Sequence, residues 1–193
     1  MKILIGCEFS GIVRQAFRVK GHEAYSCDVL PAEDGGPHFQ EDVLTVLDKG
    51  WDLAIFHPPC THLAVSGARW FKDKHEEQEQ AVLFVNKLLN APIERIALEN
   101  PVGVLSTRIR KPDQIIQPYH FGEPYRKTTC LWLKNLPLLT PTNMVEEGAI
   151  HTTKSGKKLP KWYNLPPSDD RWKIRSRTFQ GIADAMAEQR GTF

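Results

Sequence analysis

The chain has 193 residues, 41% of them hydrophobic, 25% charged, with a mean hydropathy of −0.38, a composition suited to one globular domain with a proper core. Collagen-like, coiled-coil and disordered classes are excluded on composition. No stretch approaches the roughly 18 to 20 apolar residues of a membrane helix, and the run from Ile3 to Gly6 is cut by Glu8 too early for a signal peptide, so the expected address is the cytosol and no membrane partner is expected.

Cys7, Cys27, Cys60 and Cys130 form no C-x-x-C pair, which speaks against a disulfide framework or a zinc ribbon. The net charge of +2 is uneven: residues 1–104 carry −5 and residues 105–193 carry +7. The second half is therefore the place to look for a polyanion partner.

In chain order, Lys2 to Gly6 predicts a strand ending in a turn, and Ser10 is placed to cap a helical pattern of Ile12, Val13, Ala16 and Phe17 closed by Gly21. A second strand, about Glu23 to Asp28, ends in an acid; a Pro/Gly loop from Pro31 to Pro37 and a short helix near Val43 to Leu47 follow. Trp51 to Phe56 is a continuous apolar run, as in a strand buried on both faces. Ala81, Val82, Phe84, Val85, Leu88 and Leu89 predict an amphipathic helix that stops before Pro92. Ile93 to Leu98 predicts another buried strand, ending at Glu99-Asn100-Pro101. Strands alternating with helices imply an α/β fold with a doubly wound, mostly parallel sheet. Further on, Ile115-Ile116 and Thr128 to Leu133 read as strands, 137–178 is rich in Pro, Lys, Arg and Trp without a period, and Gly181 to Gln189 reads as a helix.

In such a sheet, ligands bind beyond the carboxyl ends of the strands. After the first strand, Gly11 allows close backbone approach and the helix start offers free N–H groups, while Asp28, ending the second strand, suits ribose hydroxyls. A glycine turn with a distant acid fits a nucleoside cofactor and equally an ordinary strand-to-helix turn. After the Trp51 to Phe56 run come His57-Pro58-Pro59-Cys60, where two prolines fix the backbone and hold a thiol still at the sheet edge, with His57 and His62 near it. A free cysteine is more often a small buried hydrophobe. Pro101 forces Asn100 into extended backbone and aims Glu99 outward, and if the two strands are parallel neighbours Glu99 lies close to Cys60, as a nucleophile and an acid. A plain strand-terminating turn uses the same residues.

Taken together, Phe9-Ser10-Gly11-Ile12, Pro58-Pro59-Cys60 and Glu99-Asn100-Pro101 resemble, in order, the cofactor, nucleophile and Glu-Asn motifs of the DNA cytosine-5 methyltransferases, and Ile182-Ala183-Asp184-Ala185-Met186 is similar to the closing element of that family. The resemblance is to a short, phage- or prophage-like member without a full target-recognition domain. It implies the Rossmann-like fold of S-adenosylmethionine-dependent methyltransferases, with the cofactor bound by Phe9, Ser10, Gly11, Ile12, Asp28, Asp42 and Pro58. It implies addition of the Cys60 thiolate to cytosine C6, with Glu99 at N3, Asn100 and Pro101 holding the Glu99 loop, Pro59 beside the nucleophile, and Arg126 on the target base, and in duplex DNA a base flipped from the stack. His57, where the family has a small residue, is expected to help deprotonate Cys60, because a free thiol is only a few per cent thiolate at neutral pH.

Residues 1–193 read as a single catalytic domain, with 137–178 a small basic and aromatic insertion. Its Lys154, Lys157, Lys158, Lys161, Arg171, Arg175 and Arg177, interleaved with Trp162 and Trp172, are the candidate DNA surface, since cations meet phosphates and aromatic faces stack on bases; an ordinary solvated loop is the alternative. With only 54 residues between Arg126 and Gly181, sequence recognition is expected to be short and relaxed, or supplied by a second subunit. Competing readings are the same chemistry on a free pyrimidine nucleotide or RNA, and a non-catalytic module that binds nucleic acid or cofactor. A zinc deaminase is disfavoured because position 63 is Leu, not the second cysteine of a Pro-Cys-x-x-Cys site, and no metal is expected.

Overall fold

A computed structural model of the chain describes residues 1–65, 74–153, 155–156 and 158–192. The sheet is built from β1 (Lys2–Gly6), β2 (Glu23–Asp28), β3 (His38–Gln40), β4 (Leu53–Phe56), β5 (Arg95–Pro101), β6 (Gln114–Ile116) and β7 (Thr129–Lys134). Their spatial order is β3-β2-β1-β4-β5-β7-β6; β1 to β5 pair in parallel, and β7 runs antiparallel to β5 and β6. This is the doubly wound, mostly parallel Rossmann-like α/β sheet that the alternation of strands and helices predicts.

Among the described residues, three helices of eight or more residues cover it: α1 (Ile12–Val19), α2 (His75–Leu89) and, after the short α3 (Leu105–Arg108) and α4 (Arg171–Ser176), the C-terminal α5 (Gln180–Arg190). Strand side chains alternate between faces, so each strand feeds two cores. Ile3, Ile5, Leu53, Ile55, Ala97 and Leu131 pack with Val13 and Phe17 of α1 and Ile182 and Met186 of α5. Leu4, Ala54, Phe56, Ile96, Leu98 and Trp132 pack with Val82, Val85 and Leu88 of α2. Leu53 to Phe56 are fully buried on both sides, which is why they read as one apolar run; at about 2 kcal/mol for each large buried side chain, this stretch anchors the sheet. None of the described helices is long and apolar enough to cross a membrane.

The topology places the site. From β1 the chain winds outward to β2 and β3 on one side and to β4 and β5 on the other, so a crevice opens between the carboxyl ends of β1 and β4. The turn from Cys7 to Gly11 and the bend from His57 to Cys60 flank it.

Three local expectations need correction. Ser10 is not the main cap of α1: its hydroxyl is a long 3.4 Å from the Ile12 N–H, whereas the Glu8 carboxylate accepts from the N–H groups of Val13 (2.8 Å) and Arg14 (3.3 Å). Gly11 stands at φ 75°, a left-handed turn that brings the chain back over Glu8 and frees that carboxylate to reach the helix start. β5 does not stop at Leu98 but runs on through Glu99 and Asn100 to its end at Pro101, these three paired with Leu131, Cys130 and Thr129 of β7. β4 stops at Phe56, so on that side Pro101 interrupts no ladder. Finally, the unreadable stretch 137–178 holds a two-stranded hairpin of β8 (Ile150–Thr152) and β9 (Lys158–Pro160), followed by α4. Strands of three residues leave almost no periodic signal.

Candidate active site

Parallel pairing of β4 with β5 puts Phe56 opposite Leu98. One residue on, His57 and Glu99 face each other, and the imidazole Nδ1 lies 3.3 Å from Glu99 Oε2. Both side chains are largely covered, His57 to 8% exposure and Glu99 to 18%. One residue further, the Asn100 amide donates to the Pro58 carbonyl at 2.9 Å within the buried interior. Asn100 therefore clamps the proline bend to β5, an arrangement the resemblance does not specify. Beyond it, the Cys60 carbonyl accepts from the N–H groups of Leu63 and Ala64, and Ala64 bridges to Gly103 past the end of β5. A side chain at Gly103 would collide with the Leu63 carbonyl, so a glycine is what lets the two loops close on each other. The bend carrying Cys60 is thus tied to the strand carrying Glu99 at Asn100 and again at Gly103.

The four cysteines separate clearly. Cys27 and Cys130 are buried and Cys7 is half-buried, while Cys60 is exposed. Burial pushes the Cys7 thiol far above its usual range and the Cys27 thiol up to about 12, so neither supplies thiolate. At Cys60 desolvation of the sulfur and then the Glu99 charge raise the thiol pKa, opposed by the positive charges of Lys127 and Arg175. Glu99 is the converse case. Burial would raise its carboxyl, but the His57 hydrogen bond, the Lys127 charge and the His57 charge outweigh it and hold the group below the ordinary glutamate value.

Lys127 is thus the cation that acts on both groups. Its ammonium donates to the Arg175 carbonyl at 3.1 Å and sits 5.7 Å from the centre of the Phe179 ring, which ties the approach to β7 to α4. Arg126, expected on the target base, instead forms an ion pair with Glu147. The signal for Lys127 was present in the register, since Thr129 pairs with Pro101 two residues past Glu99, but it becomes usable only once β7 is known to run antiparallel beside β5.

The expectation that His57 deprotonates Cys60 also changes. Its Nδ1 is engaged by Glu99 and its Nε2 is buried without a hydrogen-bond partner, so neither ring nitrogen is bonded to the thiol.

Next to the proline bend lies a pocket of about 330 Å³ lined by Cys7, Cys27, Asp28, Val29, Glu41, Asp42, Val43, Pro59, His62, Glu77, Ala81 and Phe84. Asp28 and Asp42 are the two acids the resemblance assigns to the cofactor, and each also uses one carboxylate oxygen in a local turn, to the N–H of Leu30 and of Leu44. Pro59 lines the pocket where Pro58 was expected; Pro58 is buried and faces Asn100 through its carbonyl. Phe9, Ser10, Gly11 and Ile12 lie outside this lining. Phe9 is buried against Trp172, ring centres 5.7 Å apart, and Gly11 packs beside the Arg14 guanidinium and Asp34. Its walls are chiefly apolar, with four acidic residues, Asp28, Glu41, Asp42 and Glu77, among those that line it. Among the described residues no cluster of His, Cys, Asp and Glu is placed to hold a metal ion.

Arg14 was invisible to sequence reasoning. It is fully buried on α1, donates to Ser26 Oγ at 2.6 Å and to the Pro37 carbonyl at 3.4 Å, and pairs with Asp34. The Ser26 hydroxyl lies 2.8 Å from His38 Nδ1, and His38 Nε2 donates to the Leu30 carbonyl at 2.9 Å. This chain of bonds pins the 29–37 loop beside the pocket.

The basic segment is divided in its placement. Lys154 and Lys157 lie outside the described residues. Lys158 and Lys161 are exposed on and after the hairpin. Trp162, partly buried, packs on Phe179 and Tyr125, with ring centres 4.8 and 5.3 Å apart. α4 turns back over the strand ends: Trp172 contacts Phe9 yet stays half exposed, Arg175 acts on Cys60, and Arg177 pairs with Glu33 at 2.7 Å. Arg171, on the same helix, is partly buried.

No protein-family model matches the chain, and no curated protein does. Forty-three chains of solved structures match it. One of them, from E. coli, is described as a "putative DNA modification methyltransferase encoded within prophage"; it is 14% identical, with a TM-score of 0.50, over 75% of this chain and 51% of the other. The chain thus spans about half the length of that structure, and at this identity the likeness shows a shared fold.

Proposed function

We propose that the chain is an S-adenosylmethionine-dependent methyltransferase that acts on C5 of cytosine in DNA through a covalent Cys60 adduct at C6. The observation that carries this reading is that the exposed thiol, Cys60, stands on a rigid bend bound to the strand of Glu99, with Lys127 acting on both. The shared fold with a protein described as a DNA modification methyltransferase supports it.

The pocket fits the cofactor by its chemistry: Asp28 and Asp42 for hydroxyl and amino groups, apolar Val29, Val43 and Phe84 for a purine, and a surplus of negative charge for a cation. When bound, S-adenosylmethionine supplies an electrophilic methyl group. Cytosine C5 is a poor nucleophile until its ring is reduced in aromaticity, and that is the task of the protein's side chains. The Cys60 thiolate adds to C6, the C5=C6 pair moves to C4=C5, and the C4=N3 pair moves to N3, which takes a proton from Glu99. C5, now enamine-like, accepts the methyl group. Loss of the C5 proton and expulsion of the Cys60 thiolate restore the ring, and N3 returns its proton to Glu99. Lys127 and Arg175 favour the thiolate that starts the sequence. The ties at Asn100 and Gly103 hold the bend of Cys60 against the strand of Glu99, which supports a reaction with sulfur and carboxyl on one ring.

Transfer of labelled methyl groups to duplex DNA, single strands and free dCMP, side by side, tests the reading, with covalent trapping on 5-fluorocytosine DNA to locate the nucleophile. We expect transfer to DNA and an adduct that Cys60→Ser abolishes. Transfer confined to dCMP, or an adduct that survives in Cys60→Ser, overturns it.

A further inference from the structure

The mechanism leaves His57 without a task, yet its placement is unusual. The imidazole is 8% exposed, hydrogen-bonded to Glu99 through Nδ1, and its buried Nε2 has no hydrogen-bond partner. In the turn after β1 lies Glu8, 5% exposed and near enough for the His57 charge to act on it. The His57 N–H donates to the Gly6 carbonyl at 2.9 Å, so the backbone fixes the imidazole between the turn after β1 and the end of β5. A covered histidine bonded to one carboxylate and within electrostatic reach of a second is a place to store one proton.

We propose that His57 is a positioning residue for the reaction above, holding between Glu8 and Glu99 the proton that Glu99 delivers to N3 of the target ring. Such a device is needed because Glu99 by itself is kept ionised: the His57 bond and the Lys127 charge hold its carboxyl below the usual range despite burial. An ionised carboxylate has no hydrogen to give, and N3 of cytosine is an acceptor. The imidazolium resolves this. As the ring docks, His57 Nδ1 passes its proton to Glu99 Oε2, Glu99 passes it to N3 as the Cys60–C6 bond forms, and His57 becomes neutral. When the C5 proton leaves to water and the thiolate is expelled, N3 returns the first proton by the same path. No oxidant or further reactant is required.

Glu8 sets the other side of the balance. Burial raises its carboxyl, and the His57 charge, the N–H groups of Val13 and Arg14 and the Arg14 charge lower it. The groups that bear on the stored proton are therefore Glu8 on the β1 turn, Arg14 on α1, Glu99 on β5 and Lys127 before β7; Cys60, after β4, feels Glu99, Lys127 and Arg175 of α4. His57 thus couples the turn that starts α1 to the acid at the reacting ring.

The inference rests on the proposed reaction, and two measurements separate their fates. The first is NMR titration of the His57 imidazole in the full chain, wild type against Glu99→Gln and Glu8→Gln, which keep side-chain size and need no turnover. We expect the pH response of the His57 ring signals to change in both, and most in Glu99→Gln. The second is the pH profile of kcat/KM for His57→Gln. A lone carboxyl holds its proton to lower pH than an imidazolium paired with a carboxylate, so the centre of the bell moves to lower pH by about one unit, beyond any scaling of its height. A His57 pH response that ignores Glu99→Gln, or a His57→Gln profile that superimposes on the wild type after scaling, overturns the inference. Failure of the wild type to methylate cytosine in DNA overturns the proposed reaction instead.

Discussion

The crevice between β1 and β4 and the basic segment 150–177 are built on opposite principles. Around the crevice, side chains are held by buried strands, by Asn100 on the Pro58 carbonyl, by Glu8 on the start of α1 and by Arg14 in a chain of hydrogen bonds. The described part of the basic segment has a hairpin of three-residue strands, one single-turn helix and a six-residue α4, and it meets the site through Trp172 on Phe9, Arg177 on Glu33 and Arg175 with Lys127. Under the proposed function, chemistry that needs atoms placed to a fraction of an ångström would use the first region, and a surface for a long, variable polyanion would use the second.

If the rigid part governs rate, the largest effect outside Cys60 itself falls on Lys127. Lys127→Met removes the cation that lowers both the Cys60 thiol and the Glu99 carboxyl, so the pKa of each rises. The centre of the kcat/KM bell then moves to higher pH, opposite to His57→Gln, and turnover at neutral pH falls about 10- to 100-fold. An unmoved bell would show that α4 and β7, not charge, are what Lys127 serves.

Arg14 tests whether the 29–37 loop belongs to the rigid part. Arg14→Leu leaves the Asp34 carboxylate and Ser26 without their buried partner; the half-exposed Asp34 regains water, so the expected cost is about 2 kcal/mol, or a fall in Tm of about 4 to 8 °C by thermal melting. The same pair gives a pH signature. Asp34 is held below its ordinary value by the Arg14 hydrogen bond, so its contribution to stability is present above the unfolded aspartate pKa and is lost as pH falls through the lower folded value. The Tm gap between wild type and Arg14→Leu therefore narrows on acidification.

The smallest effect is expected on the loosely attached part. Lys158→Ala with Lys161→Ala weakens binding to duplex DNA several-fold and reduces the slope of log K against log salt by about two, with kcat unchanged. An unchanged salt slope would assign those lysines to ordinary solvated surface and sharpen the division by shifting the polyanion contact to α4.

Much of the scaffold is written in the residues. β1 and β2 match their expected bounds, β1 as an apolar run closed by Gly6 and β2 as a short mixed stretch ending at Asp28, and the runs before Cys60 and at Glu99 are recognisable because two-face burial leaves no polar alternation. The prolines at 58 and 59 and the single exposed thiol follow from local backbone restriction. What failed was whatever depends on partners distant in sequence. The cap of α1 is Glu8 and not Ser10 because a left-handed Gly11 folds the chain back; the buried role of Arg14 left no local signal because its partners, Ser26, Asp34 and Pro37, come from another strand and loop.

By itself the sequence determined that a doubly wound sheet would carry a thiol and an acid on successive strand ends, since hydrophobic period and proline geometry act over a few residues. Only the tertiary structure decided which charges surround them: that His57 bonds Glu99, that Lys127 and not Arg126 acts on the pair, and that α4 folds back beside Cys60. Those outcomes turn on the register of β4 against β5 and on the reversed direction of β7, and Coulomb energies depend on distances in space that no local pattern encodes.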